Sequence, residues 1–380
     1  MGRIVVCCNL VGKHNLIFFI FVLNAFFSCN DMSDVENPAK MPNTGSDSGR
    51  MFVLCEGLFN SNNSTLACID YNSQTFYADF FKEYGNNRRG LGDTANDMKI
   101  HNGQIWIVVN ISSQIEVVNA LTGKSVRQIP LFNEKNEPRQ PRNIIFHNNK
   151  AYVCSFDGTV IEINTQTFTE ERIVTCGRNP DGITAANNKL YVANSGGLDA
   201  ANGSGLSYDN TVSVIDLDTF TEIKKIEVGI NPQRIAADSE GDIYVVSRGN
   251  NANIKARFQR IDSNTDELAE SFDDIAAVNF SILNDTAYIY NFDYTNETYW
   301  IKTFDCINEK IILEQFIADD TKLDRPFGIY PHPLTGDLFI GDAKTYIDFG
   351  TIYCFNRAGK LRYKIEQIGQ NPNNFLFYDI

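Results

Sequence analysis

The residue types that most often carry catalysis do not form a cluster in this sequence. The acidic pairs Asp273-Asp274 and Asp319-Asp320 stand in polar segments, where neighbouring carboxylates are usually solvated rather than arranged as a general acid and base. The sequence contains no glycine-flanked serine elbow and no phosphate-binding glycine loop. The histidines are far apart along the chain: His14, His101, His147 and His332. These observations predict a binding protein rather than an enzyme, without a cofactor.

The cysteines favour a structural role over metal binding. No two of them are spaced as C-x-x-C, and no histidine stands nearby at ligand spacing, so we predict no metal site. A disulfide between Cys55 and Cys68 is an alternative in an oxidising compartment. The main expectation is that the cysteines within or at the end of apolar runs are small buried side chains: Cys55, Cys68, Cys154, Cys176, Cys306 and Cys354.

A repeated pattern supplies the scaffold on which binding residues could be placed. A short run of β-branched and aromatic residues, typical of a strand, recurs at Met51–Leu54, Ile105–Val109, Ala151–Cys154, Leu190–Asn194, Ile243–Val246, Ala287–Tyr290 and Leu338–Gly341. Each copy is followed by a second run that ends in Asp or Asn, whose side chain can bond to the backbone of the next turn. These closing residues are Asp70, Asn119, Asn164, Asp216, Asp262, Asp305 and Asn356.

Two further runs complete each repeat. A fourth run closes each copy, and a run introduced by proline precedes most copies, as at Pro141, Pro180, Pro232, Pro326 and Pro372. Four short antiparallel strands that repeat every ~40–50 residues are typical of a β-propeller blade. No stretch shows sustained helical periodicity. We therefore predict an all-β fold, a seven-bladed β-propeller of four-stranded antiparallel blades, as a single domain over residues 51–380.

The two ends of the repeat complement each other. The first copy lacks a proline-led strand before Met51, whereas Pro372–Ile380 is such a strand with no successor. We predict that the C-terminal strand joins the first blade as its innermost strand. This closure would leave no open sheet edge at the joint.

The long connections fall on one end of the predicted propeller. If the strands of a blade are named A to D from the centre outward, the B–C and D–A loops emerge on one face, which we call the loop face. Long loops on one face of a rigid scaffold are where binding sites usually lie. The long B–C loops are 57–63, 194–210, 247–257, 291–299 and 342–350, and the long D–A loops are 82–96, 132–142 and 318–325.

Aromatic, amide and arginine side chains are frequent at this face. They suit a large ligand with apolar surfaces and amide or hydroxyl edges, although Asn and Gly also favour turns for purely structural reasons. The predicted ligand-binding residues are Asn60, Tyr84, Arg88, Arg89, Asn110, Arg142, Phe156, Asn194, Tyr208, Arg234, Arg248, Phe292, Tyr294, Phe327, Tyr346 and Phe349.

The N-terminus has the features of a lipoprotein signal. Leu16–Phe27 is almost entirely apolar but shorter than the roughly 20 residues of a membrane-spanning helix. Cys29 follows a small residue, which resembles a bacterial lipobox. We predict a signal peptide over residues 1–28, a lipid on Cys29 and a flexible tether over residues 29–50, because that segment is polar and rich in Pro, Ser, Gly and Asn. An ordinary secretion signal is the alternative.

The charge balance excludes a nucleic-acid partner. The chain carries 33 basic and 47 acidic residues, a formal net charge of −14. Residues 1–28 contain Arg3 and Lys13 and no acid, so the mature chain is more acidic still. Such a surface repels nucleic acids and anionic lipid headgroups, so contact with the membrane would be through the lipid anchor.

Several segments resemble known propellers. The pattern of Pro180–Ile183, Leu190–Asn194 and Val212–Asp216 resembles YncE-like, surface-layer-type propellers. Gly90–Met98 and Asn194–Gly197 are similar to a Bacteroidetes lipoprotein subgroup that includes the cobalamin-binding surface propellers called BtuG. The resemblance implies an outer-membrane lipid anchor facing the outside and capture of a corrinoid for a TonB-dependent transporter. A surface propeller that binds a glycan or a protein partner is the alternative function.

Overall fold

The computed structural model describes residues 41–45, 47–84, 89–250 and 252–379. The first three blades contain β1 (Arg50–Cys55), β2 (Thr65–Asp70) and β3 (Thr75–Tyr77); β4 (Ala95–His101), β5 (Gln104–Val109), β6 (Gln114–Asn119) and β7 (Ser125–Pro130); and β8 (Pro141–His147), β9 (Lys150–Ser155), β10 (Thr159–Asn164) and β11 (Glu170–Thr175). Helix α1 (Phe80–Tyr84) follows β3.

The remaining blades repeat the same order. They contain β12 (Pro180–Ala186), β13 (Lys189–Asn194), β14 (Thr211–Asp216) and β15 (Thr221–Glu227); β16 (Pro232–Ala237), β17 (Ile243–Ser247), β18 (Arg257–Asp262) and β19 (Glu267–Phe272); β20 (Asn279–Leu283), β21 (Thr286–Asp293), β22 (Thr298–Asp305) and β23 (Lys310–Leu313); and β24 (Pro326–Pro331), β25 (Leu338–Asp342), β26 (Phe349–Phe355) and β27 (Leu361–Gln370). The last strand is β28 (Pro372–Tyr378), and helix α2 (Gly197–Ala201) lies between β13 and β14.

These strands form seven four-stranded antiparallel sheets, so the predicted seven-bladed propeller is confirmed. The predicted closure is confirmed as well, because the first sheet has the order β28-β1-β2-β3. Strand β28 pairs with β1 from Arg50 opposite Tyr378 to Cys55 opposite Pro372. The ring is therefore joined by backbone hydrogen bonds between the two ends of the domain.

The core lies between adjacent blades, because successive side chains of a strand point to opposite faces of its sheet. On β1, Phe52 and Leu54 pack toward blade 2 in one cluster with Met98. Their neighbour Val53 packs toward blade 7 in another cluster with Phe339. The second strands of blades 1 to 5 and of blade 7 are buried on both faces, which explains why their sequences read as continuous apolar runs rather than alternating ones.

The same alternation separates the two cysteines that could have formed a disulfide. Cys55 lies in the cluster with blade 7, and Cys68 lies in the cluster with blade 2, on the other face of the sheet. Both thiols are free and buried. Burial raises the pKa of each of them to about 12. The alternative of a Cys55–Cys68 bridge is therefore wrong, and these side chains serve as small apolar groups of the core.

The Asp and Asn residues that close the third strands stabilise the next turn, as predicted. Asp216 accepts hydrogen bonds from the backbone N–H and the hydroxyl of Thr219, both at 2.8 Å. These bonds lower the pKa of Asp216, because they stabilise its ionised form. Asn119 accepts the equivalent bonds from Thr122, at 2.9 and 3.0 Å.

The structure differs from the sequence prediction in three connections. The predicted loop 291–299 is an extended hairpin, since β21 continues to Asp293 and β22 begins at Thr298. The predicted loops 82–96 and 194–210 contain residues of the short helices α1 and α2. No helix in the described part of the chain is long and apolar enough to cross a membrane.

The described end of the predicted tether is bound to the propeller. Asp47 accepts hydrogen bonds from Arg362 at 2.8 Å and from the hydroxyl of Tyr363 at 2.9 Å. Arg362 also donates to the carbonyl of Thr44, and Met41 packs against the cluster between blades 1 and 7. Contacts with the folded domain therefore begin before residue 51, whereas residues 1–40 lie outside the described residues.

Candidate functional site

A cavity of about 310 Å³ lies on the propeller axis at the loop face. We call it the axial cavity. All seven innermost strands contribute to its wall near their first residues, and the ends of β1, β17 and β21 complete it. A propeller brings seven equivalent strand ends to one point, so side chains far apart in the sequence meet there.

Most of the innermost strands begin with a β-bulge that places one side chain toward the axis. In blade 3, Pro141 pairs with Ser155 and Asn143 pairs with Cys154, so Arg142 has no partner on β9. Similar register shifts occur where β4, β12, β16, β24 and β28 begin. A bulge re-aims the side chain of its extra residue. Blade 6 has no bulge, but its Asn279 lies at the equivalent position. Each blade thus places one such residue around the axis: Asn96, Arg142, Asp181, Gln233, Asn279, Phe327 and Asn373.

A second and wider cavity, of about 670 Å³, opens beside the first over blades 3 to 6. We call it the lateral cavity. Its wall includes Phe156, Tyr208 and residues of α2. The two cavities share the side chains of Arg142, Asp181, Gln233, Arg248 and Tyr294, so they form one continuous depression on the loop face.

Half of the predicted ligand-binding residues line this depression. The axial cavity contains Arg142, Arg234, Arg248, Phe292, Tyr294 and Phe327, and the lateral cavity adds Phe156 and Tyr208. Tyr346 lies next to this group: its hydroxyl is 3.0 Å from that of Tyr294, and its ring packs edge-on against Phe327.

Two predicted asparagines lie outside both cavities and hold the backbone instead. Asn194 is fully buried. Its amide nitrogen donates to the hydroxyl of Ser213 at 2.8 Å, and its amide oxygen accepts from the N–H of Gly177 at 3.2 Å. Asn110 is also buried and donates to the carbonyl of Pro141 at 3.1 Å. Their amides are therefore used to fix the loop bases rather than offered to a ligand.

The other predicted residues lie away from the axis or are not described. Tyr84 belongs to α1 and packs against Tyr77 on the outermost strand of blade 1. Arg89 pairs with Glu116 at 2.8 Å. Asn60 lies in an exposed loop, Phe349 is partly exposed at the start of β26, and Arg88 lies outside the described residues.

Sequence reasoning missed much of the axial wall. The prediction placed the binding residues mainly on the long loops, whereas the first residues of the innermost strands form most of the wall. The signal was present in the repeat itself, since the residue after each strand-initiating proline lines the cavity. The missed wall residues include Glu56, Asn96, Asn143, Asp181, Gln233, Asn279, Tyr290, Tyr330 and Asn373.

The ion pair between Arg142 and Asp181 lines both cavities. Arg142 donates through Nε and Nη2 to Asp181, at 3.1 and 3.0 Å. Its guanidinium also lies over the ring of Phe156, 4.7 Å from the ring centre. Burial opposes the charged form of Arg142, but the nearby carboxylates of Asp181 and Glu56 outweigh it, so the pKa of Arg142 is raised. The guanidinium of Arg142 is therefore held by two hydrogen bonds, and its charge is balanced by that of Asp181.

Glu56 is the other carboxyl group of the axial wall. Burial raises its pKa, against the opposing effects of Arg142 and of the hydrogen bond that Asn96 donates at 2.8 Å. In the described part of the chain, no group of three or more His, Cys, Asp or Glu side chains is arranged to hold a metal ion. The wall offers amides, aromatic rings, the phenols of three tyrosines and arginines, which suit binding by hydrogen bonds and stacking.

Solved structures with a similar fold belong to proteins that are described very differently from one another. A quinonprotein alcohol dehydrogenase-like protein from Bacteroides thetaiotaomicron is 16% identical over 87% of this chain and 78% of its own, with a TM-score of 0.62. The hydrazine synthase of Kuenenia stuttgartiensis is 15% identical over 67% of this chain and 74% of its own, with a TM-score of 0.52. A chain of the mitotic checkpoint complex is 10% identical over 95% of this chain and 91% of its own, with a TM-score of 0.56.

At these identities the likeness shows the fold alone. No curated protein matches the chain. The resemblance to YncE-like and BtuG propellers therefore stays a prediction. A family model described as "Domain of unknown function (DUF5074)" matches residues 49–373, which cover the propeller from blade 1 to the start of its closing strand, and the chain belongs to this family.

Proposed function

We propose that the protein is a lipid-anchored propeller of the outer membrane that captures a small molecule at the loop face. The observation that carries this proposal is the continuous depression formed by the axial and lateral cavities. Its volumes, about 310 and 670 Å³, fall within the range of small-molecule sites. Every blade contributes to the axial wall, so the site is held by the whole ring rather than by one flexible loop.

The ligand that we propose is a corrinoid such as cobalamin, passed on to a TonB-dependent outer-membrane transporter. A corrin ring is broad, partly apolar and fringed with amides. The wall presents matching groups: aromatic rings such as Phe327 and Tyr290, and amides such as Asn143 and Asn279. Amide-to-amide hydrogen bonds would set the orientation of the ring, and the aromatic side chains would cover its apolar faces.

Cyanocobalamin should co-elute with the purified mature protein in gel filtration, giving a red complex of one ligand per chain. Replacing Ala200–Ser207 by a short Gly-Ser link together with Tyr208→Ala should weaken binding by about tenfold, because ~1.4 kcal/mol of contact is a modest share of a large ligand's binding energy. The melting temperature should change little, since the loop base is fixed by the buried Asn194. Absorbance of the protein peak and isothermal titration measure both effects.

Substitutions on the opposite face provide the control. The control variants are His147→Gln, at the last residue of β8, and Leu334→Ser, in the turn between β24 and β25; neither residue lines either cavity, and both lie at the A–B end of their blades. Both variants should bind cyanocobalamin like the wild type. No co-elution by the wild type would reject the corrinoid and leave a glycan or a protein as the ligand. Loss of binding only in the opposite-face variants would place the site at the wrong end of the ring.

The lipid anchor is tested separately, because Cys29 lies outside the described residues. Cys29→Ala should release the protein from the membrane fraction without changing its melting curve, since the residue precedes the folded domain. Lipid chains hold a protein at a membrane through burial of their methylene groups, which salt does not weaken. Fractionation in low and high salt measures the effect, and a variant that stays bound in high salt would contradict the anchor.

A further inference from the structure

The axial cavity collects positive charge in an otherwise acidic protein. Three arginines line it, Arg142, Arg234 and Arg248, against two carboxyl groups, Glu56 and Asp181. The ion pair with Asp181 neutralises Arg142. Burial raises the pKa of Glu56, and even with both carboxyl groups ionised the arginines outnumber them. The cavity is therefore a positively charged place on a chain whose formal net charge is −14.

Arg234 is held in the cavity by neutral groups. Its Nε donates to the carbonyl of Phe280 at 3.2 Å, and its Nη2 donates to the hydroxyl of Tyr330 at 3.2 Å. Its guanidinium also lies 5.7 Å from the centre of the Tyr330 ring. Asp97, whose charge also acts on Arg234, is bound to Lys99 at 2.8 Å. Within the described ranges, Arg234 forms no ion pair with a carboxylate.

Arg248 is fixed in a similar way. Its Nη1 donates to the side-chain carbonyl of Gln233 at 3.0 Å. Gln233 directly precedes Arg234 on β16, so both guanidinium groups are tied to the start of one strand. No carboxylate of the described residues pairs with Arg248. A guanidinium has five N–H donors, and these neutral partners occupy only some of the donors on each arginine.

The bonds of Tyr330 leave its proton available. Its oxygen accepts from Arg234, so its own O–H can donate to a third group in the cavity. Two guanidinium groups and one phenol together favour an oxyanion as ligand, because the N–H donors of arginine match the geometry of carboxylate and phosphate oxygens. The aromatic side chains of Tyr290, Phe292 and Phe327 line the same space and would contact an apolar body attached to the anion.

We infer that the axial cavity binds an oxyanion group of its ligand, a carboxylate or a phosphate, on Arg234 and Arg248 with the hydroxyl of Tyr330. The aromatic rings beside them receive a flat or apolar part of the same molecule. The inference rests on the proposed function only in placing the ligand in this cavity. It does not require the ligand to be a corrinoid.

Small aromatic probes test the inference on the mature protein. Isothermal titration with phenyl phosphate and benzoate should show saturable binding, whereas neutral benzyl alcohol should bind at least about tenfold more weakly. The stronger of the two anions identifies the preferred oxyanion. Arg234→Gln and Arg248→Gln should each weaken anion binding by about tenfold and leave the weak binding of benzyl alcohol unchanged. Arg248→Lys should retain part of the affinity, because it keeps the charge but loses the fork of N–H donors.

Arg127→Gln is the matched control, since Arg127 is exposed on the outermost strand of blade 2. This variant should bind the anions like the wild type. If Arg234→Gln does not fold, Arg248→Gln and Tyr330→Phe carry the test. Equal binding of benzyl alcohol and the anions, or unchanged anion binding in folded glutamine variants, would overturn the inference.

The outcomes separate this inference from the corrinoid proposal. Binding of phenyl phosphate or benzoate that depends on the arginines, without binding of cyanocobalamin, would reject the corrinoid and support the anion site. Binding of cyanocobalamin that both glutamine variants retain in full, without binding of either anionic probe, would support the corrinoid and overturn the anion site.

Discussion

Deletion of Pro372–Ile380 should abolish the native fold. The deletion removes β28, the innermost strand of blade 1, and with it the backbone pairing of Arg50–Cys55 on one side. A propeller distributes its core between neighbouring blades, so a blade without its inner strand cannot pack against either neighbour. The exposed edge of β1 is apolar and would pair with other chains.

Side chains of β28 add to this loss. Phe375 is buried in the core between blades 1 and 7, and Leu376 is buried in the core between blades 1 and 2. Asn373 donates to the carbonyls of Ala95 and Asn96 at 3.1 and 3.2 Å, which ties the closing strand to blade 2. The free-energy cost of removing a whole strand with contacts on both sides should exceed the free energy of unfolding of a typical domain, about 5–15 kcal/mol.

Gel filtration and circular dichroism measure the outcome. The truncated protein should elute as aggregates or fail to show a cooperative melting transition. Removal of residues 379–380 alone is the control, because it leaves β28 intact, and it should melt like the wild type. A truncated protein lacking 372–380 that stays monomeric with an unchanged melting temperature would refute the role of β28 in closing the ring.

The fold was predictable because its signals are local. The strand motifs, the Asp and Asn turns and the strand-initiating prolines can each be recognised within a few residues, and repetition then fixes the architecture. Closure followed from two unmatched ends, the missing strand before Met51 and the spare strand after Pro372. The extension of β21 and β22 into the hairpin at 291–299 was not predicted, because Asn and Tyr there suit loops and strands alike.

The site was less predictable because it depends on pairing between strands. Whether Asp181 faces the axis is decided by the bulge in which Pro180 pairs with Asn194 and Gly182 pairs with Ala193. The sequence of this one strand does not reveal that shift in register; only a comparison of the strand-initiating prolines of several repeats indicates it. The same limit explains Asn194, which stands where a loop begins and was predicted to contact a ligand, although its amide satisfies buried backbone and hydroxyl groups.

Asp97 links three blades, and its loss should be the most damaging single substitution that we propose. Its carboxylate is almost fully buried, at 1% exposure, on the innermost strand of blade 2. It accepts hydrogen bonds from the amide of Asn374 in blade 1 and from the backbone N–H of Ile144 in blade 3 at 3.1 Å. It also pairs with Lys99 at 2.8 Å.

Asp97→Ala should lower the free energy of unfolding by about 2–5 kcal/mol, because two buried donors, the amide of Asn374 and the backbone N–H of Ile144, lose their acceptor. The substitution leaves the ammonium of Lys99 without its counter-charge and the N–H of Ile144 without its acceptor. Asp97→Asn keeps one acceptor oxygen but loses the charge, so its effect should be smaller. Urea unfolding followed by circular dichroism gives the order wild type, Asn variant, Ala variant.

Glu134→Ala is the matched control, because Glu134 is an exposed acid in the loop between β7 and β8. Surface substitutions of this kind usually change stability by no more than about 0.5 kcal/mol. An Asp97→Ala variant that unfolds at the same urea concentration as Glu134→Ala would show that the three bonds of Asp97 are dispensable. The expected result is that blades 1, 2 and 3 lose their common polar contact near the axis. Packing between these blades should then be less stable, beside the sheet that β28 completes.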